Sequence, residues 1–126
     1  MARILKIVIA AAAAVLAQPA LAADPAAGAK VFKGQCALCH ASTPSAAPGV
    51  GPSLAGVVGR KSGTLASYGP RYSPAMKAAG KVWSSDNLKL YIANPAKAVP
   101  ANRMPFARLH DPVQLDNVVA YLATLH

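Results

Sequence analysis

Only two cysteines occur in the 126 residues, and only four acidic residues stand against thirteen lysines and arginines. Each scarcity excludes something. Two cysteines cannot build a disulfide framework, so no set of cross-links staples the fold. A bilayer-spanning helix needs about 20 apolar residues, and the N-terminal apolar run, Ile7 to Ala17, stops at eleven. Parallel-strand runs alternating with helical patterns are missing, which removes α/β folds and the redox C-x-x-C that accompanies them. No internal repeat and no second domain can be discerned.

The short N-terminal run has another use. Arg3 and Lys6 precede it, Gln18-Pro19 break it, and Ala20-Leu21-Ala22 offers a small-x-small cleavage site. That is the pattern of a secretory signal peptide. Residues 1–22 are expected to be removed, with Ala23 as the other plausible last residue of the leader. Residues 23–126 then form one small periplasmic domain. Losing Arg3 and Lys6 takes the formal charge from +9 to +7. Such a balance steers a protein toward acidic surfaces or anionic membranes. The cations are scattered, and an exported chain rarely meets nucleic acid, so nucleic acid is not expected as a partner.

Both cysteines lie in Cys36-Ala37-Leu38-Cys39-His40, and C-x-x-C-H is the spacing of covalent haem attachment. Residues three and four apart share a helix face. Cys36 and Cys39 can each reach a vinyl group on one porphyrin edge, and His40 can turn its imidazole under the ring toward iron. Three alternatives use the same residues: a redox disulfide, a structural disulfide, and a zinc site completed by His110 or His126. Export suits haem, because c-type haem is attached outside the bacterial cytoplasm. A domain this small buries only about 60–68 % of its unfolded surface, so an enclosed macrocycle would supply much of the core.

Asp24-Pro25 predicts a helix start, with the helix running through Val31 and Phe32 into the motif. Residues 41–72 are rich in Gly, Pro, Ser and Ala and predict loops wrapped around a buried group. Pro74 to Ala79 predicts a short helix ended by Gly80. Ser84 or Ser85 caps the next, with Leu88, Tyr91 and Ile92 on one face and Asn94-Pro95 stopping it. Ala96 to Phe106 reads as an extended loop. Asp111-Pro112-Val113-Gln114 resembles a capping box, followed by the apolar stripe Leu115, Val118, Val119, Leu122 and Leu125.

If His40 takes one face of iron, the opposite face decides the chemistry. A protein ligand there makes an electron carrier, whereas an open position admits oxygen or peroxide. Met104 is the best of four candidates. It sits in Pro100-Ala101-Asn102-Arg103-Met104-Pro105-Phe106, where prolines stiffen a loop that must present a thioether. Methionine also serves as core filler, which suits Met76 in its Ala-rich stretch. His126 ends the chain, and His110 precedes the last helix at the surface. Residue chemistry alone leaves Met104 between ligand and filler.

Further short patterns recur through the chain. They are Gly28-x-x-x-Phe32, the cysteine motif, Gly51-Pro52-Ser53-Leu54-x-Gly56-x-x-Gly59-Arg60, Tyr72-Ser73 and Trp83. Leu88-x-x-Tyr91-x-x-Asn94-Pro95, Pro100-x-x-x-Met104-x-Phe106-Ala107 and Val119-Ala120-Tyr121-Leu122 follow. In this order they resemble the class I c-type cytochromes, of the mitochondrial cytochrome c type and its periplasmic bacterial relatives. The resemblance covers essentially all of residues 23–126.

It implies an all-α, small cytochrome c fold in which N- and C-terminal helices cross and loops wrap one covalently attached haem c. Gly28 and Phe32 would pack against Val118 and Tyr121. His40 and Met104 would be the axial ligands, the Pro52 carbonyl would accept from the far ring nitrogen of His40, and the Tyr91 hydroxyl would point at the Met104 sulfur. Arg60 and Trp83 would face a buried propionate, with Tyr72 nearby. The implied activity is one-electron transfer by a monomer that is not an enzyme. Lys33, Lys97 and Arg103 would rim the exposed haem edge. Acidic docking surfaces of a quinol–cytochrome c reductase, a terminal oxidase, a photosynthetic reaction centre or a periplasmic dehydrogenase are the implied partners. The competing functions are a dedicated electron-accepting subunit of one oxidoreductase, and a haem enzyme or sensor with a labile sixth ligand. Four departures bear on packing and docking: Val118 replaces the family's usual leucine, Gln35 and Ala96 stand where lysine is common, and the segment between Arg60 and Trp83 is longer.

Overall fold

Proline at the start of helices organises this chain. The computed structural model describes residues 21–44, 47 and 49–126, and the expected signal peptide lies outside them apart from its last two residues. The described residues form five α-helices, α1 (Pro25–Gln35), α2 (Pro74–Ala78), α3 (Ser85–Ala93), α4 (Pro95–Ala98) and α5 (Pro112–Leu122), with a 3₁₀ turn at Gly69–Arg71. Four of the five begin with proline, whose fixed φ suits the first helical position and whose missing N–H is not needed there. A short polar side chain caps each start. Asp24 accepts from the N–H of Ala26 at 2.8 Å, Ser73 from Met76 at 3.0 Å, and Ser84 from Asn87 at 3.1 Å. Asp111 accepts from both Val113 and Gln114, at 2.8 and 3.1 Å. Each such cap contributes about 1 kcal/mol.

The main helix pair is α1 across α5. Gly28 makes the crossing possible: a Cβ there would fall onto the Asn117 carbonyl and lie 2.9 Å from Tyr121 Cβ. One helical turn later the Phe32 and Tyr121 rings meet at 5.3 Å, tilted by 54°. Val118, Val119 and Leu122 are almost wholly buried beneath, each contributing roughly 1.5–3 kcal/mol of apolar burial. The N–H of Asp24 also donates to Asn117 Oδ1 at 2.7 Å, tying the start of α1 to α5. The smaller Val118 is accommodated with full burial.

Between α1 and α2 the described residues are irregular apart from the 3₁₀ turn, as their composition predicts, yet they are well anchored. The N–H of Leu54 reaches Ala41 O, that of Gly56 reaches Leu125 O, and an isolated antiparallel bridge joins Lys61 to Val82. The described residues contain no strand. One prediction needs correction. Ala96 to Phe106 is not wholly extended, because Asn94 ends α3 and at once caps α4, accepting from the N–H of Lys97 at 3.1 Å. The Asn-Pro pair that stops one helix therefore starts another.

Candidate haem site

Helix α1 delivers the cysteine motif but does not contain it. Cys36 is the C-cap of α1, and the motif continues as one tight turn in which Cys39 N–H and His40 N–H both donate to Cys36 O, at 3.0 and 2.9 Å. The expected helical facing of Cys36 and Cys39 is thus kept by turn hydrogen bonds. Both thiols are free. Burial, reinforced by the neighbouring Cys39, pushes the Cys36 thiol up to about 11, so it is a neutral thiol rather than a metal-binding thiolate.

The next loop orients His40. Gly51 N–H donates to Cys39 O at 2.8 Å, which brings the loop back against the motif. His40 Nδ1 then sits 2.7 Å from Pro52 O. Because a carbonyl only accepts, Nδ1 carries the proton and Nε2 keeps its lone pair. Burial lowers the His40 pKa against an opposing push from the Pro52 bond, favouring the neutral imidazole that a metal requires. Gly51 is needed where it stands, since a Cβ there would lie 2.7 Å from His40 Nδ1 and 2.9 Å from Nε2.

His40 faces a cavity of about 320 Å³. All nine site residues anticipated from the sequence line it: Cys36, Cys39, His40, Pro52, Arg60, Tyr72, Trp83, Tyr91 and Met104. Arg60 is anchored by Nη1 to Ala55 O at 3.1 Å and by Nη2 to Ser53 O at 2.9 Å. Those two bonds leave further guanidinium donors for an anion. Burial lowers its pKa, partly offset by Tyr72, and burial raises the Tyr72 phenol. Trp83 and Tyr91 are buried, with rings 5.1 Å apart. Met76, like Met104, is partly buried against the core and lines the cavity. His110 and His126 are exposed. No three His, Cys, Asp or Glu side chains converge as metal ligands among the described residues, so the zinc alternative lacks a ligand set.

The Tyr91 hydroxyl meets Asn102 Oδ1 at 3.4 Å. Burial pushes this phenol up to about 12, so it stays a neutral donor. Asn102 was not anticipated as a site residue. Its place two residues before Met104, where an Asx side chain can accept the i+2 N–H, was the available signal. Ala101 just before it takes φ +62°, a left-handed conformation costing alanine roughly 1–2 kcal/mol.

The residues suit a flat apolar macrocycle with two attachment points. Two free thiols sit three residues apart, a neutral imidazole is held by its far nitrogen, a thioether shares the cavity, and an anchored arginine lines the wall for an acidic substituent. Comparison with known proteins agrees. A family model described as cytochrome C oxidase, cbb3-type, subunit III matches residues 23–122. Cytochrome c2 of Rhodomicrobium vannielii is 43 % identical over 123 residues, 97 % of this chain and 96 % of that protein. Cytochrome c of Chlamydomonas reinhardtii is 42 % identical over 101 residues, covering 80 % and 88 %. The solved structure of cytochrome cH from Methylobacterium extorquens superposes with a TM-score of 0.72 at 40 % identity, covering 80 % of this chain and 98 % of that one. Relatives this similar, over this much of their length and with the same fold, mean that the chain belongs to the class I c-type cytochromes: an all-α electron carrier with one covalently bound haem c.

Proposed function

We propose that Cys36 and Cys39 carry the haem through thioether bonds, that His40 and Met104 are its axial ligands, and that the chain is a periplasmic shuttle rather than an enzyme. One observation carries this reading: the 2.7 Å bond from His40 Nδ1 to Pro52 O, which presents a neutral Nε2 in the cavity that also holds both thiols and Met104. When bound, haem supplies one-electron exchange between ferrous and ferric iron, and Met/His ligation raises its potential. The protein does the rest. Pro52 O orients the imidazole, and the apolar walls contributed by Leu54, Val57, Leu88 and Phe106 exclude water and favour the less charged ferrous state. Arg60 and Trp83 would hold a propionate, with Tyr72 beside them.

Docking is electrostatic and brief in this reading. Lys33, Lys97 and Arg103 are all exposed, and positive rim charges raise association rates with acidic partner surfaces. Residues 1–22 direct export and are then removed. The candidate partners are a quinol–cytochrome c reductase, a terminal oxidase, a photosynthetic reaction centre or a periplasmic dehydrogenase.

The decisive experiment is Met104→Ala in the holoprotein. Loss of the methionine–ferric charge-transfer band, a lower reduction potential and rapid carbon monoxide binding are expected. A variant that retains the parental ferric spectrum refutes the ligand assignment.

A further inference from the structure

Asn102 makes more hydrogen bonds than any other side chain of the 94–106 loop. Its Nδ2 donates to Pro95 O at 3.0 Å and to Val99 O at 2.9 Å. Its Oδ1 accepts from the Met104 N–H at 2.8 Å and faces the Tyr91 hydroxyl at 3.4 Å. Both donors and both lone pairs of the amide are thereby used. Two carbonyls on one side and two donors on the other also dictate which way the amide points.

The anchors are firm. Pro95, Val99 and Tyr91 are all buried, and the Asn102 N–H itself donates to Val99 O at 3.1 Å. One side chain therefore joins α3, through Tyr91, and α4, through Pro95 and Val99, to the backbone of Met104. The residue before it, Ala101, stands at φ +62°. A chain bent through a conformation that alanine adopts reluctantly stays there only when its surroundings hold it.

We propose that Asn102 is a positioning residue for the sixth iron ligand, clamping the Met104 backbone to α4 and Tyr91 so that the thioether is not displaced by external donors. The proposal rests on Met104 being that ligand. Its physical basis is a population. An external ligand binds only the fraction of molecules whose loop has opened, so its apparent affinity scales with that fraction. Losing the clamp enlarges the open fraction while leaving the α1–α5 crossing untouched.

The test uses ferric holoprotein and imidazole as the external ligand. Asn102→Ala should bind imidazole at least about tenfold more tightly, equivalent to about 1.4 kcal/mol, with helical circular dichroism unchanged. On heating, its methionine–ferric band should vanish well before the helices melt. Asn102→Ser keeps an oxygen that can accept the Met104 N–H, and should fall between the two, at roughly threefold. Affinity within twofold of the parent for a folded Asn102→Ala overturns the proposal. Should the alanine variant not fold, the serine variant and amide exchange decide. In the unmutated holoprotein the Met104 amide should exchange at least tenfold more slowly than that of Arg103, and equal rates overturn the clamp. Met104→Ala separates the two readings. If it keeps the parental band, ligand and clamp fall together. If it loses the band while Asn102→Ala binds imidazole no better, only the clamp falls.

Discussion

The two walls of the haem cavity are built on different principles. On the His40 side the proposed ligand belongs to the attachment motif itself: it follows Cys39 directly, packs on the bare backbone of Gly51 and bonds to the Pro52 carbonyl at 2.7 Å. Nothing but backbone is needed to orient it. On the Met104 side the proposed ligand sits in a loop after α4, held through one amide side chain to α4 and Tyr91. A ligand steered by backbone close to covalent bonds has little freedom, whereas one steered by a side chain is as secure as that side chain. With Met104 as the proposed ligand, this asymmetry predicts that ligand loss begins on the methionine side.

Three substitutions, in the shared frame and in the loop that seats His40, sharpen the contrast. Gly28→Ala strikes the frame, where any Cβ meets the Asn117 carbonyl. Unfolding stability should fall by about 3 kcal/mol, at the upper end of overpacking costs, with the reduction potential of surviving holoprotein unchanged. Denaturant titration and voltammetry measure the two separately. Gly51→Ala strikes the histidine wall by forcing the imidazole off its seat. A loss of about 2–3 kcal/mol is expected, here accompanied by a shifted potential, and an unshifted potential would mean that the seat is not rigid. The smallest effect belongs to Tyr68→Phe. It removes the hydroxyl that donates to Val50 O at 2.7 Å, while keeping the ring beneath Arg71. About 1 kcal/mol should be lost.

Between the last two in size lies a pH effect on the methionine wall. Tyr91 holds its proton up to about 12 in the folded protein, whereas an unfolded tyrosine ionises near 10. The folded state therefore binds more protons above pH 10, and stability declines as pH rises. The contribution is complete below pH 10 and has dropped by about 2 kcal/mol at pH 12. Tyr91→Phe should lack that part of the alkaline decline in denaturant midpoints. Parallel curves for variant and parent would place Tyr91 in a wetter setting than its burial indicates.

Much of this molecule was legible without coordinates because its signals are local. Asp24-Pro25, Ser84 and Asp111-Pro112 start the helices they foretell, since capping involves groups only two or three residues apart. Gly80 follows the end of α2 at φ +63°. The period of Val118, Val119 and Leu122 marks the buried face of α5. The misjudged place is one where a single residue serves two neighbours: Asn94 closes α3 and opens α4.

Taken by itself, the amino-acid order determined what the chain binds and roughly how it winds. Two thiols and an imidazole within five positions, caps beside prolines, and an apolar stripe every third or fourth residue are short-range chemistry that needs no fold to be recognised. Tertiary structure alone decided how His40 and Met104 are seated. Seating His40 on Gly51, crossing α1 over the Asn117 carbonyl at Gly28, and wiring Met104 through Asn102 to α3 and α4 all depend on distances between residues remote in sequence or on a loop's particular bend. No local pattern encodes those distances.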